Sequence, residues 1–188
     1  MKLAGPGMPP TSGSIVQRVR TTPPPPIDVL EVRDAHAFAY WRNMLILVWR
    51  RETDSSAVRR ARHHLIELIK RHPDGVGLMQ VALPEAEPPD SDARGAITDM
   101  LAAGRGTVAC SSVIYGGTGF WMASVRALVA GVAMLARPGF PHQVFATVDE
   151  AADWHARLLP AGEGPAPSRF DIKRAADAVV AAVDKRSR

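Results

Sequence analysis

Short apolar runs alternate with amphipathic segments along most of the 188-residue chain, and this alternation limits the possible folds more than any other feature. The runs are MLILVWR, VGLMQVAL, TVACSSVIY and HQVFATV, at residues 44–50, 76–83, 107–115 and 142–148. Each run has the length of a strand, and its nearly unbroken apolar character predicts burial on both faces. Strands of this kind are typical of parallel sheets, in which helices connect successive strands.

One more strand precedes these runs. HAFAYW, at residues 36–41, leads into the first run through Arg42-Asn43, a plausible two-residue hairpin turn because Asn tolerates a positive φ. Helical spacing follows Asp54, a predicted N-cap, and recurs at 55–72, 93–103, 118–136 and 149–159. The element order is β-β-α-β-α-β-α-β-α. It predicts an α/β fold with a single mixed, mostly parallel five-stranded sheet, with helices packed on it and a C-terminal helix in addition.

Proline and glycine divide the chain into four parts. Residues 1–33 contain GPGMPPTSGS and TTPPPP and are predicted to be a disordered tail, while residues 34–160 form the α/β domain. A linker is predicted at 161–168 and an amphipathic helix at 169–188. The apolar residues of that helix are Ile172, Ala176, Val179, Val180 and Val183. Two alternatives remain open for it, docking on the domain and binding a partner.

The calculated pI of 9.7 does not indicate nucleic-acid binding once the charges are located. Residues 1–33 carry a net charge of +2, and residues 163–188 carry another +2. The remaining residues hold 13 basic and 13 acidic side chains. A neutral central domain argues against a fold dedicated to DNA or RNA.

The sequence predicts a cytoplasmic protein without a transmembrane segment. No apolar leader follows Lys2, and the most apolar stretch, Phe120 to Ala136, is interrupted by Arg126 and is shorter than the roughly 20 residues that a membrane span requires. Cys110 is the single cysteine, so an internal disulfide and a zinc site of several thiolates are excluded.

The element order and its last stretch, VFATVDEAADWHARLL at 144–159, resemble the STAS-like, anti-sigma-factor-antagonist-like domains over about residues 30–160. The resemblance implies a small regulatory module that binds partner proteins, sometimes nucleotides or lipids, and is not an enzyme. In phosphorylated members a Ser or Thr begins the helix after the third strand. PPDSDARG places Ser91 there, although the Gly-rich turn around the usual acceptor is missing. Ser91 is therefore either a possible phosphoacceptor or a helix cap.

A second candidate site is the turn in YGGTGFW, at residues 115–121. Gly116, Gly117, Thr118 and Gly119 join a strand to a helix, so backbone N–H groups there could bind an anion or a nucleotide phosphate. The turn lacks the P-loop lysine and the complete GxGxxG spacing. The alternative is a tight turn in which glycine allows the strand and the helix to approach closely.

The sequence predicts no catalytic set, no metal site and no cofactor. The histidines have no carboxylate at a recognised ligand spacing, and the acidic run at 85–92 is interrupted by prolines and matches no EF-hand loop. Cys110 lies in an apolar strand and is predicted to be a small core side chain. A nucleophilic Cys110 with a distant His is the alternative, but no nearby residue in the sequence would lower its pKa.

The helix at 118–136 is apolar on nearly all sides, which is typical of a helix buried by the sheet and by a further partner. The possible interface residues are Phe120, Trp121, Met122 and Met134, and in the C-terminal helix Val179, Val180 and Val183. The sequence thus favours a non-catalytic regulatory or scaffold protein that acts by protein–protein interaction or by self-association as a homodimer. The alternative is a small-molecule or nucleotide-binding module at Gly116–Gly119.

Overall fold

The structure is a computed structural model, and it describes residues 26–116, 127, 129–132, 134–162 and 164–186. They form a sheet whose strands follow their order in the chain. The strands are β1 (Asp28–Val32), β2 (His36–Trp41), β3 (Met44–Trp49), β4 (Val76–Ala82), β5 (Val108–Tyr115) and β6 (His142–Phe145). β1, β2 and β3 are antiparallel neighbours, whereas β3 to β6 are parallel. The predicted α/β class with one mixed sheet is confirmed, but the sheet has six strands and not five.

The additional strand is β1, which the sequence analysis placed within the Pro-rich tail at 1–33. Its five residues, DVLEV, pair with β2 at the edge of the sheet and remain exposed or half-buried. An edge strand with one covered face does not need the continuous apolar run by which the central strands were recognised. The rest of the predicted tail, residues 1–25, lies outside the described residues.

Glu31 attaches β1 to the rest of the domain. Its carboxylate accepts hydrogen bonds from Arg60 Nε at 3.0 Å and Arg33 Nε at 2.8 Å, and lies 3.1 Å from His36 Nε2. Burial alone would raise the pKa of Glu31, but the hydrogen bonds from Arg60, His36 and Arg33 outweigh burial and lower that pKa to about 2. The carboxylate therefore stays ionised and joins the edge strand to the first helix of the domain.

The helices form layers on both faces of the sheet. Four have described bounds: α1 (Ser55–Arg71), α2 (Ser91–Ala103), α3 (Val148–Leu158) and α4 (Arg169–Arg186). Helical residues at 127, 129–132 and 134–136 lie between β5 and β6. They share one face of the sheet with α1 and α2, while α3 and α4 cover the other face. Among the described helices, none has the length and apolar character needed to cross a membrane.

Local capping explains where two of the helices begin. The Asp54 side chain accepts the backbone N–H groups of Ser56 and Ala57, which confirms the predicted N-cap of α1. Thr147 and Glu150 form a reciprocal capping box at the start of α3, where each side chain accepts a backbone N–H from the other end of the turn. These starts fix the helices relative to the strands that precede them.

The C-terminal helix α4 is part of the domain core. It packs on β1, β2, β3 and α3. Its buried residues are Ile172, Ala175, Ala176, Val179 and Val183. Of the two alternatives that the sequence left open for this helix, the structure shows docking on its own domain.

The predicted linker is attached to the β2–β3 turn. Arg42 donates hydrogen bonds to the carbonyl oxygens of Ala161 and Pro165, at 2.6 and 2.7 Å, and the Asn43 amide donates to the Pro160 carbonyl at 3.1 Å. The two-residue turn forms as predicted, but Arg42 and not Asn43 has the positive φ, of 54°. The guanidinium contacts hold Arg42 in this left-handed conformation.

Candidate functional site: an apolar cavity at the ends of the parallel strands

A cavity of about 220 Å³ lies where the carboxyl ends of β3, β4 and β5 meet α2 and the helical residues near 132. Its described lining residues are Trp49, Thr53, Gln80, Ala82, Ala86, Glu87, Pro88, Pro89, Ile97, Leu101, Val113, Tyr115, Val129, Val132 and His142. Protein interiors rarely leave voids much larger than a water molecule. Open α/β sheets commonly bind ligands at the carboxyl ends of their strands. This cavity is therefore the candidate functional site.

Aromatic side chains and a proline-containing loop shape the cavity. Trp49 is 4% exposed and contacts the edge of the Phe38 ring, with the ring centroids 5.4 Å apart. The Tyr115 hydroxyl donates a 2.8 Å hydrogen bond to the Ala86 carbonyl, which fixes the loop after β4 over the cavity. Pro88, in this loop, is an exposed lining residue. The walls that the described residues form are mainly apolar, as is common in small-molecule sites.

Besides Thr53, Glu87 and the Tyr115 hydroxyl, the described lining contains two polar side chains within the sheet, those of Gln80 and His142. Gln80 is 5% exposed although it lies within β4, a strand that is otherwise entirely apolar. His142 begins β6, and its Nδ1 atom is buried without a hydrogen-bond partner. Burial lowers the pKa of His142 to about 4, so the imidazole is neutral at pH 7. Within the described lining there is no Lys or Arg.

A second polar cluster lies on the opposite face of the sheet. His155, on α3, lies with Nδ1 3.2 Å from Cys110 Sγ and with Nε2 2.8 Å from Ser112 Oγ, both on β5. A neutral imidazole has one donor and one acceptor nitrogen, so it can serve both neighbours. A thiol beside an imidazole is also the arrangement of a nucleophile and its base.

Burial excludes that catalytic interpretation of the cluster. Cys110, Ser112 and His155 are each 0% exposed. Burial raises the pKa of the Cys110 thiol to about 12 and lowers the pKa of His155 to about 3. Both side chains are neutral at pH 7 and out of reach of a substrate. The cluster is a hydrogen-bonded element of the core that joins α3 to β5, in agreement with the core position expected for Cys110.

Ser91 is exposed at the first position of α2, but it is not the cap of that helix. The N-cap is Asp90, whose carboxylate accepts the backbone N–H of Ala93 at 2.8 Å. The cap interpretation of Ser91 is therefore wrong, because Ser91 is already the first helical residue and the Asp90 carboxylate accepts one of the free N–H groups of this turn. Phosphorylation of Ser91 stays a prediction.

Only Gly116 of the predicted anion-binding turn lies among the described residues. It directly follows Tyr115, a lining residue of the cavity, and is exposed. Gly117, Thr118 and Gly119 lie outside the described residues. The anion-binding hypothesis for this turn therefore stays a prediction.

The possible interface residues have different surroundings. Met134 is 80% exposed, and its neighbour Leu135 is 76% exposed. In contrast, Val179 and Val183 are buried in the core of this chain, at 1% and 0% exposure, because α4 docks on the sheet, and neither faces a partner. Val180 is half-buried. The remaining three residues of this set, Phe120, Trp121 and Met122, lie outside the described residues.

Few ionisable groups come together elsewhere in the described ranges. No three His, Cys, Asp or Glu side chains there are placed to hold a metal ion. The four carboxylates of the acidic run at 85–92 are exposed. Comparisons with models of known protein families, with curated proteins and with solved structures found no match to this chain.

Proposed function

We propose that this protein is a non-catalytic binding module that takes up a small, mainly apolar molecule in the cavity between β4, β5 and α2. The observation that carries the proposal is a pocket of about 220 Å³ with a mainly apolar described lining at the carboxyl ends of the parallel strands. An engineered apolar cavity of roughly 150 Å³ is large enough to bind benzene. The volume of about 220 Å³ is therefore large enough for a ligand with one or two rings.

The lining residues favour binding over catalysis. His142 is neutral at pH 7 because its pKa is lowered, and Glu87 is an exposed residue at the rim. General acid–base or nucleophilic catalysis requires a reactive group and a partner that orients it. Neither side chain has such a partner among the described lining residues. The regulatory role that the STAS-like resemblance implies is compatible with a ligand-binding module of this kind.

Replacing Ala82 with Phe is expected to abolish uptake of p-xylene, because the added ring would occupy the cavity. Ala82 is 8% exposed at the end of β4. The wild-type protein is expected to bind p-xylene and to show a higher melting temperature in its presence, since a ligand that binds only the folded state stabilises it. Calorimetry and thermal unfolding measure both effects.

Ala178→Phe is the matched control, because Ala178 is exposed on α4, on the opposite face of the sheet. This variant is expected to bind p-xylene as the wild type does. Absence of p-xylene binding to the folded wild type, or equal binding by Ala82→Phe, would contradict the proposed function.

A second candidate function is self-association. The described helical residues between β5 and β6 expose Ala127, Ala130, Gly131, Met134 and Leu135. α4 cannot cover this apolar surface because it lies on the other face of the sheet. Exposed apolar patches commonly mark protein interfaces. This observation supports the homodimer that the sequence analysis expects.

Met134→Glu is expected to convert a dimer into a monomer, since it places a charge on the apolar surface that a second copy would cover. Light scattering coupled to size-exclusion chromatography measures the mass. Phe170→Glu is the control, because Phe170 is 67% exposed on α4, away from this surface. A monomeric wild type at high micromolar concentration, or a Met134→Glu variant that stays dimeric, would remove this candidate.

A further inference from the structure

Gln80 is the most unusual side chain in the cavity wall. β4 is buried along all seven residues, and its other side chains are apolar or absent. Gln80 is 5% exposed, and its side chain lines the cavity. A polar side chain in an otherwise apolar strand is unfavourable unless it finds a hydrogen-bond partner. The amide is therefore suited to pair with something that enters the cavity.

Two unpaired polar atoms lie close to Gln80 on the same face of the sheet. Ser111 and His142 are directly opposite each other on β5 and β6, and Ser111 Oγ and His142 Nδ1 are both buried without a partner. Gln80 is opposite Val113, two residues after Ser111. Most buried polar atoms in proteins are hydrogen-bonded. Gln80 and His142 both line the cavity and therefore mark a polar spot in its apolar wall, with Ser111 next to His142 on the same face of the sheet.

The cavity lacks the charges that an ionic ligand would need. The described lining contains no Lys or Arg. Its one acidic residue is Glu87, which is exposed to solvent. Burial keeps the His142 imidazole neutral, with a pKa of about 4. An anion or a cation would lose its hydration on entry and gain no opposite charge in return. The nucleotide phosphates considered for the nearby Gly116 turn do not suit this cavity for the same reason.

We infer that the ligand of this cavity is an uncharged molecule of one or two rings with a single hydroxyl or N–H group, as in a phenol or an indole. The inference rests on the proposed function. Trp49 and Tyr115 contribute aromatic walls for the ring, and Gln80 and His142 hold the polar group. Such a site selects for the polar group, because a ligand without it leaves the buried amide unpaired.

The test compares p-cresol with p-xylene, which have nearly the same shape and differ in one hydroxyl group. The measured quantity is the ratio of the two dissociation constants, for the wild type and for Gln80→Met. We expect the preference for p-cresol to fall at least about tenfold in Gln80→Met, while p-xylene binding is retained. Gln143→Met is the matched control, because Gln143 is an exposed residue of β6, and its preference is expected to equal that of the wild type.

The outcomes separate the inference from the proposed function. If p-xylene binds but Gln80→Met leaves the p-cresol preference unchanged, the inferred ligand class is wrong and the binding function stands. If neither compound binds the folded wild type, the binding function itself fails. p-Toluate, the charged analogue, is a third probe at pH 7. Tighter binding of p-toluate than of p-cresol would overturn the inference that the ligand is uncharged.

Discussion

Replacement of Ala176 with Asp is expected to destabilise the fold by at least about 4 kcal/mol, and in a domain of ordinary stability this prevents folding. Ala176 is 0% exposed in the interface between α4 and the sheet. A carboxylate there would be buried without a partner, and the adjoining side chains are apolar. The free energy of unfolding, measured by urea titration with circular dichroism, reports the effect.

Ala178→Asp is the control for this prediction. The residue type and the introduced charge are the same, but Ala178 is exposed on the outer side of α4. Its effect on the free energy of unfolding is expected to stay within about 0.5 kcal/mol. Equal stability of the two variants would mean that α4 does not pack on the sheet in solution. That result would instead support the alternative that α4 binds a partner protein.

Acidification from pH 7 to pH 5 is expected to lower the free energy of unfolding by about 4 kcal/mol through two buried histidines. Burial lowers the pKa of His155 to about 3 and that of His142 to about 4, both below the unfolded value of about 6.5. The unfolded chain therefore binds protons that the folded chain excludes. The stabilisation that the two neutral imidazoles contribute is present above about pH 6.5. It is lost as the pH falls toward their folded-state pKa values, and the loss is about 2 kcal/mol for each histidine by pH 5.

Urea titrations at pH 7, 6 and 5 test this expectation, because most carboxylates titrate at lower pH. His142→Leu is expected to remove about 2 kcal/mol of the pH dependence, the contribution of that imidazole. His63→Gln is the matched substitution at an exposed residue of α1, away from His142 and His155. Equal stability at pH 7 and pH 5 would show that these imidazoles accept protons in the folded state.

The central strands and most helices were predictable because their signals are local. β3, β4 and β5 are continuous apolar runs in the sequence, and α1 begins after Asp54 in both the sequence analysis and the structure. β1 was missed because an edge strand buries little and its residues follow four prolines. The sequence does not identify the cap of α2, because Asp90 and Ser91 are both good cap residues and only backbone geometry distinguishes them.

The candidate site could not be predicted because its features are products of three-dimensional packing. A void leaves no pattern in a sequence, and its lining residues come from segments between Trp49 and His142. The contact of Cys110 with His155 spans 45 positions and follows from how α3 docks on β5. One local signal was present. Gln80 is a single amide in an otherwise apolar run, and such a residue is a reason to look for a polar partner.

The position of α4 has a consequence for biosynthesis. This helix follows β2 by more than a hundred residues, yet it covers the antiparallel half of the sheet, including the side chain of Trp41. Every strand emerges from the ribosome before the segment that shields it. The apolar face of the antiparallel strands therefore stays exposed to solvent for most of translation. The nascent chain is most prone to aggregation, and chaperone binding is most useful, during this interval.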